Sequence, residues 1–225
     1  MPRAIRKTLG GCLYHVLNRA NGRLKIFKKP DDFLAFERIL GEAQERFDMR
    51  ICGYCLMGSH WHLLLWPRSD GDLSKFMQWV TVTHTMRYHQ SHGTAGMGHI
   101  YQGRFKSFPV QKGGHYLNVL RYIEANPIRA KMAKKAGDFE WSSYRFHTGN
   151  MPQEKQLTIN KGPQPLPENW QALVKKSMPV SDEQEICNSI KRGSPFGDDQ
   201  WKLKIAAELN LQSTLNPRGR PKKEI

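Results

Sequence analysis

The run Gly58-Ser59-His60-Trp61-His62-Leu63-Leu64-Leu65 admits one simple arrangement. Side chains of a β-strand alternate between its two faces. Trp61, Leu63 and Leu65 then share one apolar face, fit to anchor a core. His60 and His62 share the other face, within reach of one metal ion, and imidazole is a common metal ligand. Gly58-Ser59 reads as a hairpin turn that joins this strand, over 60–66, to another over 49–57.

Working outward, residues 12–18 predict a strand that ends before the turn at Asn21-Gly22. Asp31-Asp32 opens a helix whose Phe33, Phe36, Ile39, Leu40 and Ala43 recur at helical spacing. A long helix is predicted from Asp72 to about His89, on the stripe Leu73, Phe76, Met77, Val80 and His84. A strand is predicted from Tyr101 to Val110, and a helix from His115 to Ala125 that Pro127 stops. Residues 148–183 read as loop, 195–212 as a small helical unit and 216–225 as a basic tail. The order strand, helix, strand, strand, helix, strand, helix predicts an α+β domain of ferredoxin-like plan. Its antiparallel sheet would carry helices on one side. The domain is expected over 1–147, followed by an irregular linker over 148–192 and a basic C-terminal extension over 193–225.

The helix His115–Ala125 holds two tyrosines, and helical geometry separates them. Tyr116, Val119, Leu120 and Ile123 form a core stripe, so Tyr116 reads as a packing residue. Tyr122 lies roughly 120° from that stripe, and Asn126 shares its face one turn on. An amide oxygen suits a hard cation such as Mg²⁺ or Mn²⁺. A phenol and an amide one turn apart could therefore approach a metal at the sheet surface. Taken singly, Tyr122 is also readable as an amphipathic surface residue, and Asn126 as a helix-ending cap.

Charge narrows the partner. The 225 residues carry 35 Lys and Arg against 20 acidic residues, a net charge of +15. Such a field concentrates polyanions, and nucleic acid is the partner it points to. Arg104 and Lys106 alternate in the predicted strand, which would put both cations on one face. The four cysteines have no disulfide-framework spacing, and no apolar stretch is long enough to span a membrane. A reducing cytoplasm is the expected setting.

Together these residues resemble a known family. His60-Trp61-His62 resembles the His-hydrophobic-His motif of the HUH endonucleases. Tyr122-Ile123-Glu124-Ala125-Asn126-Pro127 resembles the catalytic helix of REP-associated tyrosine transposases, relatives of the single-strand insertion-sequence transposases. The resemblance runs from Tyr14-His15-Val16-Leu17-Asn18-Arg19 to Trp141-Ser142-Ser143-Tyr144. It implies Tyr122 as nucleophile and His60 and His62 as ligands of Mg²⁺ or Mn²⁺. Asn126 falls at the third-ligand position, where the insertion-sequence relatives carry glutamine. Gly58-Ser59 stands where Pro-Asn is commoner, and Trp61 is larger than the usual residue. The implied substrate is single-stranded DNA beside REP-type hairpins, joined through a 5′-phosphotyrosine and acted on by a monomer or homodimer. Arg19, Arg23, Arg104 and Lys106 would hold phosphates. Arg218 and Arg220, in an AT-hook-like Pro217-Arg218-Gly219-Arg220-Pro221, would enter a minor groove.

Three other readings compete. Cys52-X-X-Cys55 followed by His60-X-His62 could form a four-ligand zinc site, although a regular strand would turn the two cysteines to opposite faces. A domesticated, non-catalytic DNA-binding protein would not need the tyrosine. A replication or plasmid-nicking enzyme would be expected to carry an ATPase signature, and no Walker A loop occurs.

Overall fold

The computed structural model describes residues 6–149 and 157–216, apart from the side chain of Arg23. Its elements in chain order are β1 (Leu13–Arg19), α1 (Pro30–Phe47), β2 (Arg50–Met57), β3 (His60–Trp66), α2 (Asp72–His92), β4 (Lys106–Val110), α3 (Gly114–Glu124), α4 (Asn126–Arg129), α5 (Tyr144–His147), α6 (Trp170–Lys175), α7 (Val180–Arg192) and α8 (Asp199–Leu209). The four strands form one antiparallel sheet in the order β2-β3-β1-β4. This is the expected α+β fold, an antiparallel sheet flanked by helices.

The strands divide their side chains as period two requires. One face presents Tyr14, Val16, Tyr54, Leu56, Trp61, Leu63 and Leu65, all buried with residues of α1 and α2 such as Phe36, Leu40, Phe76 and Val80. The other presents Leu13, Leu64, Phe108 and Val110, buried with Tyr116, Val119, Leu120 and Ile123 of α3 and with Trp170, Val174 and Ile186 of α6 and α7. Helices therefore cover both faces, not one. The second layer needs α3 and the C-terminal helices together, because α3 alone is too narrow to roof four strands.

Two local features set α3 in place. β2 is irregular between Ile51 and Gly53, where its register against β3 shifts. Gly53 then lets Leu120 of α3 approach the strand; a Cβ there would collide with Leu120 Cδ1. At the far end Pro127 does not terminate the helical path. The chain bends at Ala125 and resumes as α4, with proline in its first turn, where a missing N–H costs nothing.

Two further expectations change. The strand predicted from Tyr101 begins only at Lys106, preceded by an isolated bridge between Ala20 and Tyr101. Residues 148–183, expected as loop, contain α6 and the start of α7. The apolar positions Trp170, Val174 and Ile186 give these short helices a core-facing side despite the surrounding prolines. The helix expected within 195–212 is α8, capped by Asp198, whose side chain accepts from the Trp201 N–H.

Candidate active site

The cross-strand register lays out the α3-facing surface of the sheet in rows. Directly opposed residues of an antiparallel pair point to the same face. One row runs Cys55, His62, Leu17, Lys106 and the next Met57, His60, Arg19. A third runs Leu64, His15, Phe108. His60 and His62 thus share a face, as the alternation requires, with ring centroids 5.2 Å apart and nearly perpendicular planes.

A third imidazole joins them. His15 lies completely buried, and its Nε2 is 2.9 Å from His62 Nδ1, with the two ring planes only 3° apart. Phe108 meets the His15 ring edge-on at 4.9 Å. The only His62 ring nitrogen left for another partner is Nε2. His60 Nδ1 lies 3.3 Å from the Ser59 hydroxyl in the hairpin turn.

α3 brings Tyr122 over this surface. The phenol ring stands edge-on to His15 and to His62, at 6.2 Å from each. It is buried rather than a surface residue, at 7% exposure. Its hydroxyl lies 3.8 Å from Cys187 Sγ of α7. The Arg129 guanidinium stacks on the ring at 3.7 Å from the centroid, a cation–π contact. Arg129 is held in turn by Glu183 of α7, with Nε 3.4 Å from the carboxylate, and by the Asn126 side-chain oxygen, which accepts from Arg129 Nη2. The restart of the helix at Asn126 makes this possible, because it turns Arg129 back over Tyr122.

Burial governs the electrostatics. It pushes His15 down to about 3 and His60 to about 4, assisted by the positive charges of Arg129 and Arg19 respectively. His62 is driven well below the usual imidazole range by burial and then by its imidazole and arginine neighbours. All three are neutral at pH 7, the state in which an imidazole offers a lone pair. Tyr122 is pushed up to about 12 by burial, against the opposing charge of Arg129 and with a further rise from Cys187.

The sequence-predicted residues fall into three sets. Tyr122, His60, His62 and Asn126 are gathered on one side of the sheet, joined by Arg19 opposite His60 and by Lys106 two strands from His62. Arg104 is not with them. It precedes the strand and lines a groove of about 1000 Å³ with Arg6, Lys75 and residues of α2, so the expected pairing with Lys106 on one face does not form. The side chain of Arg23, and Arg218 and Arg220 with the AT-hook-like tail, lie outside the described residues. Tyr116 is buried against Gly162, in keeping with a packing role.

The zinc arrangement does not assemble. Among the described residues no group of three or more His, Cys, Asp or Glu side chains is placed to hold a metal ion. The irregularity in β2 does bring Cys52 and Cys55 to the same cluster, contrary to regular alternation. Burial raises Cys52 to about 12 and Cys55 further, which disfavours the thiolates zinc requires. Cys55 instead contacts Met57.

Sequence reasoning missed His15, Arg129, Glu183 and Cys187. A histidine amid the apolar run of β1 was the available signal for His15. Arg129 was legible only as the residue three past Asn126, and nothing local marks Glu183 or Cys187, which arrive from α7.

Comparison with known proteins gives the family and the fold. Residues 8–126, more than half of the chain, match the family profile described as IS200-like transposase. The solved structure of a REP-associated tyrosine transposase bound to a REP hairpin is similar over 74% of this chain and 99% of that one. The identity is 17% and the TM-score 0.53, a likeness of fold. A putative transposase from Deinococcus radiodurans aligns over 55% of this chain and 96% of its own, at 15% identity and a TM-score of 0.40. No curated protein matches.

Proposed function

The chain belongs to the IS200-like transposase family, and we propose that it cleaves and rejoins single-stranded DNA beside REP-type hairpins with Tyr122 as nucleophile. The observation that carries this reading is the phenol ring poised 6.2 Å from the His62 ring, on the face that also presents His60. The hairpin is proposed from the solved relative, which was bound to one.

In the first step the Tyr122 oxygen bonds to the scissile phosphorus and the bond from phosphorus to the 3′ oxygen breaks. DNA is left attached to the protein through a 5′-phosphotyrosine, and the proton lost by the phenol is balanced by the one gained at the 3′ hydroxyl. Rejoining is the reverse displacement by a 3′ hydroxyl, so no nucleotide cofactor is consumed. Arg129 over the ring favours the phenolate that attacks. Arg19 and Lys106, exposed on the same face, hold flanking phosphates.

The donor set fits a divalent metal. His60 and His62 are neutral and share a face, and the buried Asn126 carries a side-chain oxygen, a suitable hard ligand, that accepts from Arg129. These three residues would hold Mg²⁺ or Mn²⁺, which when bound withdraws charge from the phosphate under attack. Asn126 would exchange its bond to Arg129 for that role. We place the reaction in the cytoplasm; among the described residues no helix is long and apolar enough to cross a membrane.

The test uses labelled single strands that flank a REP-type hairpin, with Mg²⁺ or Mn²⁺. A denaturation-resistant protein–DNA adduct is expected with the wild type and with Tyr116→Phe, and none with Tyr122→Phe. An undiminished adduct with Tyr122→Phe would show that another group is the nucleophile.

A further inference from the structure

His15 sits where an ordinary core residue would do. It is wholly buried in a strand whose neighbours on the same face are Leu13, Phe108 and Leu64. A polar ring there costs free energy unless it is fully hydrogen-bonded. Yet one of its two nitrogens, Nδ1, is buried without a partner. The other is committed to a single contact, 2.9 Å to His62 Nδ1 in the common plane of the two rings. A filler residue would avoid this half-satisfied state; a residue kept for that one contact would accept it.

We propose that His15 is a positioning residue for the metal centre, whose Nε2 orients His62 and accepts from its Nδ1–H in the metal-bound form, so that His62 Nε2 faces the cation. This rests on the proposed metal-binding role of His60 and His62.

The two neutral rings share one proton along the N···N line, and it has two registers. In the first, His15 Nε2–H donates to His62 Nδ1; the second proton then occupies His62 Nε2, and that nitrogen has no lone pair to give. In the second, His62 Nδ1–H donates to His15 Nε2, and His62 Nε2 is a free ligand atom. Each ring keeps one proton throughout, so His15 then carries its own on Nδ1, the buried nitrogen with no acceptor. Coordination selects the second register at the cost of that orphaned N–H. Metal-bound histidines commonly donate their other N–H to a fixed acceptor, and loss of such an acceptor weakens metal binding roughly 10- to 100-fold. An imidazole acceptor makes the arrangement switchable, since it can take either role. His15 touches neither metal nor DNA in this scheme, and acts only through His62.

The measurement is Mn²⁺ affinity of the full-length protein, read from the loss of the free-ion paramagnetic resonance signal. His15→Phe keeps ring volume and removes the acceptor. His15→Gln restores an acceptor near the position of Nε2. We expect about 10- to 100-fold weaker Mn²⁺ binding in His15→Phe, and recovery to within about threefold of wild type in His15→Gln. Long-range ¹H–¹⁵N imidazole spectra of the wild type give a second readout that needs no variant. They should show an N–H···N pair without metal, and the His62 proton on Nδ1 once Mg²⁺ is added. Unchanged Mn²⁺ affinity in a folded His15→Phe overturns the proposal while leaving the metal reading intact, as does a His62 proton on Nε2 in the Mg²⁺ form. A wild type that binds no Mn²⁺ overturns both. Were His15→Phe not to fold, the wild-type spectra decide.

Discussion

The two faces of the sheet are made by the same strands and treat polar atoms in opposite ways. Beneath α1 and α2, the buried polar groups of Trp61, Tyr101 and His84 satisfy one another. Trp61 Nε1 donates to the Tyr101 hydroxyl at 3.0 Å, and that hydroxyl donates to His84 Nδ1 at 2.6 Å. Beneath α3 and α7, His15 Nδ1, Asn126 Nδ2 and Arg129 Nη1 are all buried without a partner, and all belong to residues around Tyr122. Buried polar groups are nearly always paired, so a cluster that is not marks a place built for something besides stability. One face holds the molecule together, and the other keeps bonding capacity that the proposed reaction would use.

The contrast is broken most severely at its support. Trp61 and His62 are neighbours in β3 that face opposite ways. Trp61→Ala should cost about 3–5 kcal/mol of unfolding free energy, measured from the denaturant midpoint, since it empties a fully buried indole site and takes the Nε1 donor from the Tyr101 hydroxyl. A loss under 1 kcal/mol would show that the first face is not the anchor described.

Acid should act on both faces, and more strongly on the second, which holds the depressed His15, His60 and His62 against His84 on the first. Folding depresses His84 and His15 to about 3, each by burial first. An unfolded histidine titrates near 6.5, so the unfolded chain binds more protons below that pH. Stability is therefore full above about pH 6.5 and falls as the pH drops toward 3. At pH 5 the loss in metal-free protein should reach on the order of 2 kcal/mol for each buried histidine. His15→Phe should remove its own contribution and leave that of His84. A denaturation midpoint flat between pH 7 and pH 5 would contradict the burial of these rings.

How much of this was legible beforehand follows from where each signal resides. Period-two alternation in 60–66 put the two histidines on one face, as the register has them; period 3.6 in 116–123 set Tyr122 apart from Tyr116, and although both are buried in one cluster it is the Tyr122 ring that meets His15 and His62. The roof over the second face was not legible. Trp170 and Val174 lie in a proline-interrupted stretch whose helix is too short to show a period, and Ile186 sits in α7 where the buried positions are only Ile186 and Ser189. Cys187 and Glu183 reach Tyr122 and Arg129 only through tertiary contact. Pro127 misled because proline both ends helices and begins them, and only the bend at Ala125 distinguishes the two. Arg104 was misplaced because alternation was extended into a segment that is not strand.

That restart leads to the smallest effect and the most specific one. Arg129 is the positive group stacked on the Tyr122 ring, and it opposes the upward push that burial gives the phenol. In Arg129→Met the volume is largely kept and the charge removed, so the phenol should titrate higher and the phenolate fraction at a given pH should fall. A cation–π contact of this kind contributes about 1 kcal/mol. Adduct formation at pH 7 should then slow about tenfold or less, and higher pH should restore part of the loss by regenerating phenolate. Global stability should change little by comparison, because the Arg129–Glu183 pair is partly exposed. An equal adduct rate in wild type and Arg129→Met across pH 7 to 9 would separate the guanidinium from the chemistry. Arg129 would then belong with the supporting face, despite its place beside the proposed nucleophile.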